Sequence, residues 1–173
     1  MNTIDIVLGN ACSLLGMITD AVSSTRKTAK GVLLVQSLSQ LVYCVGTIIL
    51  KGYSGAVQNA VSILRNLVAI GKCSSKILEW TLVLLGVALG MVFNNLGLIG
   101  YLPIIANLQY TLAVFRFKDN DKALKISFLI CVFLFALFNL AILNFVGVCS
   151  NLIVLITTAV VLVKQYGKQK REL

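Results

Sequence analysis

The sequence predicts an all-α polytopic membrane protein of seven transmembrane helices, built as two parallel three-helix repeats joined by an inverting linker helix. Three observations predict it. The chain is 58% hydrophobic and 12% charged, with one proline in 173 residues, whereas a soluble domain carries about 25% charged residues. Seven apolar runs follow one another with only short connectors between them. The basic residues fall on every second connector.

The first run, Ile4–Ser23, lacks a basic segment ahead of it and is expected to be a retained span, not a cleaved signal peptide. Gly31–Leu50, Tyr53–Gly71, Ile77–Asn94, Gly97–Arg116, Ala123–Leu143 and Phe145–Tyr166 follow, and all seven runs measure 18 to 22 residues. About 20 residues rising 1.5 Å each cross a ~30 Å hydrocarbon core. Only a helix satisfies its own backbone there at that length. The expected division is 1–73 for the first repeat, 74–96 for the linker helix, and 97–173 for the second repeat with a tail.

The net charge is +9, and its distribution speaks for topology and against nucleic acid. Arg26, Lys27 and Lys30 follow helix 1, and Lys72 and Lys76 follow helix 3. Arg116, Lys118, Lys122 and Lys125 follow helix 5, and Lys164, Lys168, Lys170 and Arg171 follow helix 7. These are thirteen of the fifteen basic residues; Lys51 lies opposite and Arg65 is internal. The positive-inside rule then places the N-terminus outside and the C-terminus in the cytosol of a multi-pass cell-membrane protein. Anionic lipid on the cytosolic side is an expected partner. The five cysteines show no CxxC spacing and the chain has no histidine. No metal, no cofactor and no enzyme activity are therefore expected.

Sliding the sequence on itself by 92 residues aligns helices 1–3 with helices 5–7 without a gap. Thr19, Ala21 and Val22 meet Thr111, Ala113 and Val114; Lys30 meets Lys122; Gly55 meets Gly147; Asn59 meets Asn151; Lys72 meets Lys164. The tight outer hairpins coincide and pair Gly52 with Asn144, the residues expected to take the left-handed conformation there. Two triplets that both begin outside need helix 4 as an inverting linker.

Polar residues cluster in "GYSGAVQNAVSILRN", Gly52 to Asn66, inside an otherwise apolar run. At 100° per residue, Gly55, Asn59, Ser62 and Asn66 share a stripe about 60° wide, flanked by Gln58 and Arg65. Their counterparts on helix 7 are Gly147, Asn151, Val154 and Thr158, flanked by Ser150 and Thr157. Small and polar residues also serve helix packing. The reading adopted is a polar cavity between the halves, with Asn59 and Asn151 facing each other and the glycines leaving room beside the amides.

Asp20 and Arg65 lie at similar depth and are expected to pair, as an inner gate or as a static clamp. Gln36, Gln40 and Tyr43 share a face of helix 2, while Asn107 and Gln109 lie on helix 5 beyond Pro103. Interhelical hydrogen bonds suit these residues, with Asn107 the best cavity candidate among them. Gly86 and Gly90 form a GxxxG face for close contact within the chain or across a homodimer. Asn94 and Asn95 are expected to cap the outer turn, and Trp80 and Tyr166 to anchor at the interfaces.

The 3+1+3 order, with an Asn at matched positions on the third helix of each triplet, resembles the SWEET and PQ-loop transporters. The run "GYSGAVQNAVSILRNLV" resembles YgjV-type bacterial inner-membrane proteins, through its glycine-containing hairpin and the step Arg65-Asn66-Leu67. The first resemblance implies sugar contacts at Asn59 and Asn151 and a proline hinge, for which Pro103 is available with Ala11 at its repeat position. No PQ dipeptide is present. The expected function is facilitative, alternating-access transport of a small neutral polar solute such as a sugar. Asn59, Asn151, Ser62, Asn66, Thr158 and Asn107 would bind the solute. The alternative is a receptor or scaffold of the same fold that holds a peptide or protein partner.

Overall fold

The computed structural model describes residues 1–23, 26, 28–71, 75–117 and 120–169. Lys27, Lys72, Cys73, Lys118, Lys170 and Arg171 lie outside the described residues, as do the side chains of Tyr166 and Lys168. Among the described residues there are seven α-helices: α1 Thr3–Ser23, α2 Ala29–Ile49, α3 Tyr53–Ile70, α4 Lys76–Val92, α5 Tyr101–Arg116, α6 Asp121–Ala141 and α7 Phe145–Gln169. Side-chain caps start several of them: Thr28 accepts from Gly31 N (3.1 Å), Ser75 from Leu78 N (3.2 Å) and Asn120 from Ala123 N (3.0 Å).

Three helices are long and apolar enough to cross a membrane among the described residues: Thr3–Ser23, Lys122–Ala141 and Phe145–Lys164. The polar stripe lowers the hydropathy of α3. At 17 and 16 residues, α4 and α5 are ~25 Å long, shorter than the expected spans. Large apolar side chains stand exposed on every helix, among them Val7, Leu41, Leu64, Leu85, Ile105, Ile130 and Ile156. Such a surface fits a helical membrane protein, with lipid against the outward faces.

Six helix boundaries agree with the apolar runs to within three residues; α5 does not. Expected from Gly97, it begins at Tyr101, because Gly97 takes φ +56° and Asn94 folds across the turn. Asn94 donates from Nδ2 to the Gly97 carbonyl (2.9 Å) and accepts from Leu96 N (3.1 Å). Pro103 therefore falls in the first turn of α5, where a backbone N–H has no intrahelical acceptor to lose. It is fully buried. The proline expected as a hinge thus stands at the start of a helix.

Helices α1, α2, α3, α5, α6 and α7 pack in that order into a closed ring, α7 returning to α1, and α4 packs on α3 and α5. Here the GxxxG face of α4 turns inward. A Cβ on Gly86 would meet Val61 at 3.4 Å, and one on Gly90 would meet Gln58 Nε2 at 2.6 Å and Ile104 at 2.8 Å. Both glycines are buried within the chain, the intrachain use of the two considered for them.

The α2–α3 and α6–α7 turns lie at one end of the ring, the turn end. Arg26, Lys30, Lys76, Arg116 and Lys164 are exposed at the other, basic end. The two turns match bond for bond. The Gly52 N–H donates to Thr47 O at 2.8 Å, and the Asn144 N–H to Asn139 O at 2.8 Å. Lys51 donates to Ile48 O (2.9 Å) and Leu143 to Leu140 O (3.2 Å). These are Schellman-type helix ends, and the left-handed residues are Lys51 (φ 57°) and Leu143 (φ 58°), each one position before the residue expected. Gly52 serves a different need: a Cβ there would lie 2.9 Å from the Phe138 ring. Asn144 instead caps α7, accepting from Gly147 N at 3.0 Å.

Each turn is also gripped from outside its own hairpin. Asn95, before α5, donates to Lys51 O (2.7 Å) and accepts from Tyr53 N (3.4 Å). Asn10, on α1, donates to Leu143 O (2.9 Å) and accepts from Val146 N (2.9 Å). Between the turns Leu50, Phe138 and Ile142 form a buried apolar cluster, with Leu96 and Leu102 against it.

Candidate functional site

The ring encloses a cavity of about 230 Å³. Twelve of its wall residues form six pairs 92 positions apart. Gln40, Tyr43 and Thr47 on α2 answer to Val132, Phe135 and Asn139 on α6. Gly55, Asn59 and Ser62 on α3 answer to Gly147, Asn151 and Val154 on α7. Asp20 enters from α1, and Asn107 and Tyr110 from α5.

The polar groups on the walls differ in how well they are partnered. Asn59 donates to Thr47 Oγ1 across a long 3.4 Å. The Nδ2 of Asn151 is buried without a hydrogen-bond partner. Burying such a donor costs about 1–3 kcal/mol unless something accepts from it. Gln58, on the opposite flank of α3, points away from the cavity into the seam with α4 and α5. It donates to Gly86 O (2.8 Å) and accepts from Asn107 Nδ2 (2.8 Å). The Oδ1 of Asn107 in turn accepts from Arg65 Nη1 at 3.4 Å, and the guanidinium lies over the Tyr110 ring, 5.7 Å from its centroid.

Of the residues singled out in the sequence, Asn59, Asn151, Ser62, Asn107, Asp20 and Arg65 share this one cavity. Asn66, Thr158 and Pro103 do not line it. The wall stops at the matched pair Ser62 and Val154, and Asn66 and Thr158, another matched pair, lie one turn beyond. Arg65 is included because its long side chain reaches back toward Asn107 and Tyr110. Asp20 and Arg65 do not form the expected ion pair. Asp20 faces the hydroxyls of Ser39 and Tyr43, and Tyr43 faces Ser150, while Arg65 faces Tyr110 and Cys131. The room expected beside the glycines is also taken: Phe138 packs on Gly55, and the carboxamides of Asn144 and Asn139 pack on Gly147.

Sequence reasoning missed the α6 wall of Phe128, Cys131, Phe135 and Phe138, apolar residues to which it assigned no place in the cavity. A signal was present. Gln36, Gln40 and Tyr43 were recognised as one face of α2, and their partners 92 residues on are Phe128, Val132 and Phe135. Gln109 meets the expectation of an interhelical bond: it donates to Ser127 O (2.9 Å) and accepts from Ser127 Oγ (2.6 Å), tying α5 to α6.

The walls thus combine amides and hydroxyls with one carboxylate, one guanidinium and an aromatic side. No curated protein and no solved structure shows a significant match to the chain. The family model described as Imp-YgjV, bacterial inner membrane protein, matches residues 7–169. An apolar helical ring that matches this model over nearly its whole length belongs to the Imp-YgjV family of bacterial inner membrane proteins.

Proposed function

We propose that this protein is a small facilitative transporter, moving a small polar solute of no net charge by alternating access. In this reading all seven helices span the inner membrane, with the N-terminus outside and the C-terminus cytosolic. Helices α1–α3 and α5–α7 are parallel repeats like those of SWEET proteins, α4 is the inverting linker, and the basic end meets anionic lipid.

The carrying observation is the cavity, walled at 92-residue intervals by both halves. A solute site at the interface of two repeats is how rocking-type transporters expose one site to alternate sides. The volume of about 230 Å³ lies below the ~300–1,000 Å³ of drug-sized ligand pockets. That favours a small metabolite over the peptide or protein partner of a scaffold. Leu50, Phe138 and Ile142 pack together at the turn end, which this reading takes as the closed, outer side.

The test is purification of Asn59→Ala and Asn151→Ala, followed by solute uptake into proteoliposomes. Both variants should insert and purify normally yet lose uptake, because a site that hydrogen-bonds a polar solute is left with unpaired groups. If the amides only hold helices, stability should fall by ~0.6 kcal/mol per interhelical bond and uptake by the surviving protein should be unchanged.

A further inference from the structure

The cavity carries two charges that do not meet. Asp20 and Arg65 are its charged wall residues, on α1 and α3, and no ion pair joins them among the described residues. The Arg65 guanidinium lies over the Tyr110 ring, 5.7 Å from its centroid. Of the five N–H donors of Arg65, one reaches an acceptor among the described residues, at the long distance of 3.4 Å. Opposite charges at membrane depth ordinarily pair with each other, since a lone buried charge is costly. Here the two sit on separate walls of one cavity.

We infer that the solute is a small zwitterion, whose ammonium is received by Asp20 and whose carboxylate is received by Arg65. This rests on the transport reading and narrows its solute class. A polyol offers neither wall a counter-charge, and a simple cation or anion satisfies one wall and leaves the other bare. A zwitterion satisfies both, through charge-assisted bonds of about 2.7–2.9 Å, while the occupied site stays neutral overall. The unpartnered Nδ2 of Asn151 supplies a further donor for a solute oxygen.

The experiment uses the purified full chain, read by thermal stabilisation in detergent and by uptake into proteoliposomes. The probes are glycine, L-alanine, L-serine and β-alanine, beside serinamide (ammonium only), glycerate (carboxylate only) and glycerol (neither). At least one zwitterion should stabilise the protein and be taken up, with the single-charge and uncharged analogues weaker by ~30-fold or more. Asp20→Asn and Arg65→Gln should each lose the zwitterion response by a similar factor, while Asp20→Glu and Arg65→Lys keep it to within a few fold. Glycerol, serinamide or glycerate acting as well as the zwitterions would overturn the inference and leave transport standing, as would an undiminished response in either charge-removing variant. Silence toward every probe in both assays would overturn this inference, and unchanged uptake of any solute in the Asn59 and Asn151 variants would overturn the site itself.

Discussion

Lys51 and Leu143 hold left-handed backbone that a side-chain-bearing residue enters at a cost of about 1–2 kcal/mol. Lys51→Gly removes that cost and adds roughly 0.5–1 kcal/mol of chain entropy to the unfolded state. A net stabilisation of up to ~1 kcal/mol is expected in denaturation of the detergent-purified protein. Gly55→Ala should act in the opposite direction, because the new methyl presses on the buried Phe138 ring and on Thr47. Overpacking of that kind costs about 1–3 kcal/mol. Asp20→Asn and Arg65→Gln should alter the stability of the solute-free protein additively, within ~0.5 kcal/mol, because the two side chains share no partner. A coupling energy above 1 kcal/mol would reinstate the direct ion pair. At this scale the sequence told which residues matter better than why. The rarity of amides and charges in an apolar chain made Asn59, Asn151, Asp20 and Arg65 visible. Which of two adjacent residues takes the left-handed conformation depends on the Schellman bonds, and no residue preference revealed that Gly52 is a glycine to admit Phe138.

The elements were legible because apolar runs bounded by charge or glycine define spans wherever the solvent is lipid. The α5 start escaped, since Leu96, Leu98 and Ile99 continue the apolar run through a turn that Gly97 and Asn94 actually shape. The joints between elements were illegible. Asn10 meets the α6–α7 turn across 133 positions of chain, and periodicity carries no record of such a contact. The two joints are alike in design, each an asparagine that caps a left-handed carbonyl and the start of the following helix. Replacing Asn10 or Asn95 by Ala removes the two hydrogen bonds that each makes to its turn, at ~1 kcal/mol each; Asn10 also loses its bond to the Ile6 carbonyl within α1. A loss of about 2 kcal/mol is expected for each variant, with faster amide exchange confined to residues 51–53 for Asn95→Ala and 143–146 for Asn10→Ala. Exchange that quickens evenly through all helices would mean that these side chains support the whole bundle and not its turn end.

At the scale of the whole molecule, the ring is closed at two seams, α1 against α7 and α3 against α5, with the cavity between them and the Leu50, Phe138 and Ile142 cluster at the turn end. The seams are unlike in chemistry. Between α3 and α5 runs a buried polar chain from Gly86 through Gln58 and Asn107 to Arg65, suited to a fixed fulcrum. At the turn end stand the two asparagine clamps, Asn10 beside the α1–α7 seam and Asn95 on the α2–α3 turn, over a small apolar cluster. Alternating access would then open the turn end by releasing the clamps, with α3 and α5 held together. Single cysteines in a background lacking the native ones test this. At exposed Lys51 and Leu143 they should react with an impermeant thiol reagent from outside, and at exposed Lys76 and Lys164 only from the cytosol; reversed sidedness would refute the orientation. Ser62→Cys reports on the cavity. From outside it should react slowly if the cluster of Leu50, Phe138 and Ile142, 1–3% exposed, is the outer closure that the transport reading requires. Adding Asn10→Ala and Asn95→Ala weakens the closed state, and each 1.4 kcal/mol lost raises the open population about tenfold. The outside rate at Ser62→Cys should therefore rise about tenfold or more in that background, with the rates at Lys51→Cys and Leu143→Cys changing little. Equal labelling of Ser62→Cys from both sides, indifferent to the clamps, would describe a pore open at both ends and would end the alternating-access reading.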